Sequence, residues 1–184
     1  MTLFNTPWHL ISIGIVFLIG AVIAISLRST FNCTSARSLT IYIWHTIFSI
    51  IYAVYVVNNG GDAFGYYRAR LWGNIEFDWG TRGVEILTSF LTQGFGLSFL
   101  GTSLAFQIFG FIGLLAFDAG LRDVTKNKPK QVRRLATLIV FLPSVSFWSS
   151  GTGKDSLSFM AMGLALWAAM NLNRRIFLMV IAVL

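Results

Sequence analysis

Long stretches of this chain contain no charged residue, and short polar or charged segments separate them. The stretches are residues 8–27, 38–57, 97–117, 135–148 and 156–172, and a sixth begins at Ile176. The first three have about 20 residues each, enough at about 1.5 Å per residue to cross a hydrocarbon core of roughly 30 Å. The fourth and fifth are shorter and need flanking Trp, Ser and Asn residues at the interface. Because backbone in lipid must satisfy its own hydrogen bonds, the pattern predicts an all-α, polytopic transmembrane helix bundle with five spans and a partial sixth.

Composition supports this prediction. The 184 residues are 55% hydrophobic and 11% charged, which is too little polar surface to solvate a globule. A formal net charge of +7 would fit nucleic-acid binding in a soluble protein. Here the basic residues lie in short loops between apolar stretches, so we interpret them as topology signals and predict no nucleic-acid partner.

The sign of the loop charges alternates along the chain. Loop 28–37 carries two arginines and no acid, loop 58–96 has a net charge of −1, and loop 118–134 has a net charge of +4. The turn 149–155 is balanced, and 173–175 brings two more arginines. Because basic loops stay in the cytoplasm, we expect the amino terminus, loop 58–96 and turn 149–155 to lie outside.

The chain is expected to form a single membrane domain over residues 1–184. After Arg174 and Arg175 only nine apolar residues remain, Ile176–Leu184, which rise about 13 Å as a helix and cover less than half a bilayer. We therefore expect the amino-terminal part of a longer protein, completed by a carboxyl-terminal remainder or a partner subunit.

The long outer loop 58–96 opens with a turn-rich segment in which Gly60 and Gly61 bring Asp62 close to the membrane surface. Aromatic and cationic residues follow: Phe64, Tyr66, Tyr67, Arg68, Arg70 and Trp72. One interpretation is an aromatic belt whose arginines reach lipid phosphates. The other is a sugar and phosphate site, in which the rings stack on sugars, Arg68 and Arg70 pair with phosphate oxygens, and Asp62 serves as acid or base.

Two further features lie in this loop. Glu76 and Asp78 are two positions apart and could hold a divalent cation through carboxylate oxygens, although the tripeptide is common. No other cofactor is predicted. Val84, Leu87, Leu91 and Phe95 recur at helical spacing, which predicts an amphipathic helix on the outer interface.

The segment 142–155 is the densest motif of the chain. Pro143 should interrupt or kink the fourth span, and Trp148 is expected at the interface. Gly-Thr-Gly-Lys resembles a phosphate loop, but Trp148 and Asp155 replace residues that such a loop requires. Lys154 at a helix start suits an anion. The alternative is an interfacial Lys154 beside Asp155 as helix cap.

If both loops face outside, an acid and a phosphate-binding cation can meet over one cleft. Glycosyl transfer from a lipid-linked phosphate donor needs such an arrangement, because a base must deprotonate the acceptor and cations must stabilise the departing phosphate. The segments concerned are Gly61-Asp62-Ala63-Phe64-Gly65-Tyr66-Tyr67 and Pro143-Ser144…Phe147-Trp148-Ser149-Ser150-Gly151…Lys154-Asp155.

These segments resemble bacterial multi-span proteins of surface-polysaccharide clusters, which are similar to GT-C glycosyltransferases and to exopolysaccharide and O-antigen polymerases. The resemblance covers roughly residues 40–170. It implies Asp62 as catalytic base, Lys154 as a phosphate contact, and a polyprenyl-phosphate-linked saccharide as substrate. Tyr66, Tyr67 and Trp148 would stack on sugars. Membrane lipids would surround the protein in the bacterial cytoplasmic (inner) membrane.

Two other functions remain open. A transporter or flippase of lipid-linked saccharides would use Pro143 and glycine-rich helices for movement. A non-catalytic membrane subunit would hold a partner on loop 58–96. His45, in the second span, is expected to be hydrogen-bonded within the bundle, although an ionisable group there is also a candidate for transport.

Overall fold

The structure, a computed structural model, describes residues 3–69 and 80–183, and these residues form helices without strands. The all-α prediction is therefore confirmed for them. The helices are α1 Pro7–Leu27, α2 Ser35–Asn59, α3 Asp62–Arg68, α4 Thr81–Ser89, α5 Phe99–Thr125, α6 Lys130–Val140, α7 Pro143–Ser149, α8 Lys154–Ala169 and α9 Leu172–Val183. A π-helical turn, Phe90–Gly94, continues α4, so the predicted amphipathic segment is helical.

Three helices, α1, α2 and α5, are long and apolar enough to cross a membrane. The first two begin at threonine caps: Thr6 accepts a hydrogen bond from the backbone N–H of His9, and Thr34 accepts one from that of Arg37. Both helices expose large aliphatic side chains, among them Leu18, Val22, Ile47 and Ile51. Such outward-facing apolar rows indicate a membrane protein whose outer surface is covered by lipid.

Helix α5 is the centre of the bundle and contacts α1, α2, α6, α7 and α8. Small residues let its neighbours approach closely. A Cβ on Gly113 would lie 2.6 Å from the carbonyl oxygen of Phe159, and Gly163 of α8 faces Gly113 in turn. A Cβ on Gly110 would overlap the carbonyl of Ser149. Glycines at these positions therefore allow close helix packing.

The predicted fourth span is divided into two helices. Helix α6 ends at Val140 and α7 begins at Pro143, which cannot continue the hydrogen-bond ladder and holds Leu142 in an extended conformation. With 11 residues in α6 and 16 in α8, neither reaches the length of α1, α2 or α5. Helix length thus identifies three crossings.

The third span extends beyond its predicted end. It was expected to stop at Phe117, but α5 continues to Thr125. Asp118, which is 1% exposed, is paired with Arg37 Nη2 at 2.6 Å and with Arg122 Nε at 2.8 Å. A carboxylate neutralised in this way can remain buried inside a helix, and this one joins α2 to α5.

Candidate functional site

The connection between α2 and α3 places Asp62 at a helix start. Gly60 and Gly61 have φ angles of 80° and 142°, which residues with a side chain rarely adopt. The helical backbone is interrupted there, and Asp62 becomes the first residue of α3, exposed to the surroundings. A carboxylate in the first turn is favoured by the helix dipole.

An aromatic cluster holds α3 on the beginning of α5. The rings of Phe64 and Tyr67 lie 5.2 and 5.4 Å from the ring of Phe99, and the Tyr67 hydroxyl donates to the Leu97 carbonyl at 3.5 Å. Arg68 is exposed, with its guanidinium 5.6 Å from the Phe64 ring. Of the two tyrosines predicted to stack on sugars, Tyr67 therefore packs α3 against α5.

His45 forms the core of a polar network inside the bundle. Its Nδ1 lies 2.9 Å from Gln107 Oε1, and its Nε2 lies 3.0 Å from Ser149 Oγ. Gln107 also donates to the Thr46 hydroxyl at 3.1 Å. The expected hydrogen-bonded role of His45 is confirmed, and the network ties α2, α5 and α7 together.

The turn between α7 and α8 is recessed in the bundle. Ser49 donates to the Ser150 carbonyl at 3.1 Å, and the hydroxyls of Thr152 and Ser103 are 3.1 Å apart. Ser49 lies ten residues before Asn59, about 15 Å from the end of α2. The prediction placed turn 149–155 on the outer side of the membrane; its first four residues are buried within the protein. Their polar groups find partners on α2 and α5, so burial costs them no hydrogen bonds.

Tyr66 connects the two predicted halves of the site. A Cβ on Gly153 would lie 3.7 Å from the Tyr66 ring, so α3 reaches over the end of the recessed turn. Burial raises the pKa of Tyr66, and the carboxylates of Asp62, Glu85 and Asp155 raise it further. Carboxylates on α3, α4 and α8 thus lie near enough to the Tyr66 phenol to influence its pKa. Sequence analysis assigned no role to Glu85, which lies among the polar positions of the amphipathic helix.

Lys154 is the cation of this site. It is exposed at the first position of α8 and has no ion-pair partner among residues 3–69 and 80–183. Gly153, not Asp155, occupies the cap position, and no side chain caps this helix. Asp155 lies in the first turn, where the helix dipole stabilises its negative charge. The free ammonium remains able to bind an anion.

A groove of about 460 Å³ runs between α7 and α8. Trp148 and Asp155 line it together with Ser144, Ser158, Phe159 and Met162. Trp148 was expected at the interface; it is 58% exposed on the side of the bundle and adjoins Ser149, which reaches His45. With apolar walls and a carboxylate at one end, the groove suits an amphiphilic ligand.

Three predicted site residues, Arg70, Glu76 and Asp78, lie outside the described residues. Within the described part of the chain, no group of three or more His, Cys, Asp or Glu side chains is arranged to hold a metal ion. Comparison of the chain with protein-family models, with curated proteins and with solved structures found no match.

Proposed function

We propose that this chain acts as a membrane glycosyltransferase or polysaccharide polymerase on a polyprenyl-phosphate-linked saccharide. The observation that carries the proposal is the approach of the Tyr66 ring to Gly153, which brings α3, with Asp62 at its start, next to Lys154 and Asp155 at the start of α8. These groups come from distant parts of the chain and supply a base, a ring and a cation in one place.

The proposed reaction uses each group in turn. Asp62 accepts the proton of the acceptor hydroxyl, whose oxygen attacks the anomeric carbon of the donor sugar. The bond from that carbon to the phosphate oxygen breaks, and the phosphate leaves with its electron pair. Lys154 stabilises the departing charge, with Arg68 and Arg70 as further phosphate contacts. A divalent cation at Glu76 and Asp78 would add to this stabilisation.

The groove between α7 and α8 is the proposed path of the isoprenoid chain. Phe159 and Met162 give it apolar walls, and Trp148 offers an exposed ring for the first sugar or isoprene unit. Asp155 lies at the end where the phosphate would meet Lys154. The substrate would then approach from the lipid rather than from water.

The proposed orientation places this site on the outer face of a bacterial cytoplasmic membrane, with the amino terminus outside. Helices α6 and α7 would together make a fourth crossing and α8 a fifth. The basic residues near the end of α5, from Arg122 to Arg134, support it, because cationic loops remain in the cytoplasm. Phe99 and Asp118 are 19 residues apart on α5, which separates the two ends by about 28 Å.

The test is to replace Asp62 by Asn and Lys154 by Ala in the full-length protein. Each variant is expressed in a bacterium that lacks its own copy, and the surface polysaccharide and the membrane-inserted protein are measured. We expect each change to abolish product while the protein level persists. Asp123→Asn and Lys128→Ala, exposed at the opposite end, are matched controls and should leave product unchanged. Full product in both site variants would refute the assignment and favour a non-catalytic subunit.

One observation favours transport of lipid-linked saccharides as a second candidate. The network of His45, Gln107 and Ser149 places polar groups in the interior of the bundle, where a transport path would pass. In a transporter, Asp62→Asn should have little effect on saccharide flux across vesicles, whereas changes at His45 or Pro143 should impair it. An enzyme should show the reverse dependence in product formation.

A further inference from the structure

A second cavity lies far from the candidate site, at the other end of α5. It has a volume of about 800 Å³ and lies between the last turns of α5 and helix α6, with Arg37 of α2 also in its lining. Its lining is strongly basic, with a single carboxylate, that of Asp118. The cationic residues are Arg37, Arg122, Lys126, Lys130, Arg133 and Arg134. We refer to this space as the basic cavity.

Three of the six cations already have anionic partners. Asp118 accepts hydrogen bonds from Arg37 and Arg122, and Lys126 pairs with Asp123 at 3.1 Å. Arg122 also donates to the carbonyl of Phe31 at 2.7 Å, which fixes its side chain. These three cationic side chains are therefore held by contacts within the protein.

The other three cations, Lys130, Arg133 and Arg134, have no ion-pair partner within the parts of the chain that the structure describes. All three lie in the first five residues of α6, whose first turn contains no acid and whose cap position, Pro129, offers no side-chain acceptor. Positive side chains at this end oppose the helix dipole and repel one another. These three side chains line the same cavity as Arg37 and Arg122, which are paired with Asp118. Basic residues that serve only to orient a membrane protein do not need to line a cavity.

We propose that the basic cavity binds a ligand bearing a phosphate group, with Lys130, Arg133 and Arg134 as its contacts. Guanidinium groups pair with phosphate oxygens in a fork geometry, and the dipole of α6 attracts the same charge. Leu121, Ala136 and Leu138 add apolar lining. Both a phospholipid head group and a soluble diphosphate have this chemistry and fit the volume.

The ligand of this cavity is distinct from the saccharide donor proposed above. Asp118 lies about 28 Å along α5 from Phe99, on which the α3 aromatic residues pack. The inference therefore does not rest on the glycosyltransferase proposal, and either can fail without the other.

The experiment uses the purified full-length chain in a non-ionic detergent and measures its thermal unfolding midpoint. The probes are sodium diphosphate, short-chain phosphatidylglycerol, and short-chain phosphatidylcholine as the lipid without net charge. A ligand that binds only the folded state raises the midpoint in a concentration-dependent way. A rise with diphosphate indicates a soluble phosphate ligand, and a rise with phosphatidylglycerol alone indicates a lipid head group.

The variants decide whether binding occurs in the basic cavity. Arg133→Gln with Arg134→Gln should weaken binding of the effective probe by about tenfold or more, because two charge-assisted contacts are lost. Both side chains are exposed, so the protein should still fold; Lys130→Gln alone is the milder second variant. Lys128→Gln with Arg174→Gln removes two exposed charges outside the cavity and should leave binding unchanged. The proposal is overturned if no anionic probe binds, if phosphatidylcholine binds equally well, or if both charge-reduced pairs weaken binding alike.

Discussion

Removing the charge of Asp118 tests the ion pair that joins α2 to α5. In the Asp118→Asn variant the carboxylate that accepts from Arg37 and Arg122 becomes an amide. The amide oxygen can serve one guanidinium, but the amide nitrogen is a donor and faces the other one. One buried hydrogen bond to a guanidinium is thereby lost, and the amide N–H group and the second guanidinium face each other as two donors.

The magnitude follows from the burial of the three groups. Breaking a fully buried ion pair costs about 3 to 5 kcal/mol, since an uncompensated charge remains inside the protein. Here Asp118 is 1% exposed, but the side chains of Arg37 and Arg122 are 27% and 30% exposed and can rehydrate in part. We therefore expect a loss of about 2 to 3 kcal/mol in the free energy of unfolding, or a fall in Tm of about 5 to 10 °C for a chain of this size.

The assay is thermal unfolding of the full-length protein in detergent, followed by circular dichroism and by loss of the monodisperse species. The matched control is Asp123→Asn. The Asp123–Lys126 pair has side-chain exposures of 44% and 65%, so its loss should cost no more than about 0.5 kcal/mol. If both variants lower Tm equally and by less than about 2 °C, the pair to Asp118 does not hold α2 against α5 and our reasoning is wrong.

Three further predictions concern single positions. Gly113→Ala should destabilise the protein by about 1 to 3 kcal/mol, since its Cβ would lie 2.6 Å from a backbone carbonyl of α8, whereas Gly14→Ala, with open space around it, should be neutral or stabilise by up to about 1 kcal/mol in the same thermal unfolding assay. The raised pKa of Tyr66 means that its stabilising effect is full below its ordinary pKa of 10.0 and is lost as pH rises through its folded-state pKa. Asp62→Asn should lower the pKa of Tyr66. The pKa is measured from phenolate absorbance as a function of pH, as the difference between each protein with Tyr66 and the same protein with Tyr66→Phe. An unchanged pKa of Tyr66 in the Asp62→Asn variant would place Asp62 away from the ring. Burial raises the pKa of Cys33, so its alkylation near neutral pH should be slower in the folded than in the unfolded protein, and equal rates would contradict this.

The helical architecture was predictable because it depends on local patterns. Apolar stretches of about 20 residues and threonine caps mark the first two long helices, and Pro143 marks the break between α6 and α7. The end of α5 was not predictable in this way. A scan of the chain for charge predicts that Asp118 lies in a loop. Its buried position inside α5 depends on neutralisation by Arg122 and by Arg37, which is 81 positions earlier and could not be paired with it from the sequence.

The same limit applies to the candidate site. The sequence indicated Asp62, Tyr66 and Lys154 as chemically distinctive, and the structure brings the segments of Tyr66 and Lys154 into contact through Gly153. The sequence pattern did not distinguish Tyr66 from Tyr67. The position of the Phe99 ring determines that Tyr67 packs against α5, while Tyr66 faces the turn at Gly153.

The recessed turn between α7 and α8 shows why depth cannot be read from polarity. Ser149, Ser150 and Thr152 resemble a solvated surface turn, and a scale of side-chain transfer energies would place them in water. Each is nevertheless buried, because a partner on α2 or α5 about 50 to 100 positions earlier receives or supplies its hydrogen bond. A polar turn can therefore lie about 15 Å inside a helix bundle at little cost when long helices carry complementary polar groups at the same level. The consequence for the proposed chemistry is positional: Lys154 is exposed, but the turn that precedes it is held by hydrogen bonds in the interior of the bundle. Its backbone is therefore already fixed when a phosphate binds, and less conformational freedom is lost than on a loop without such partners.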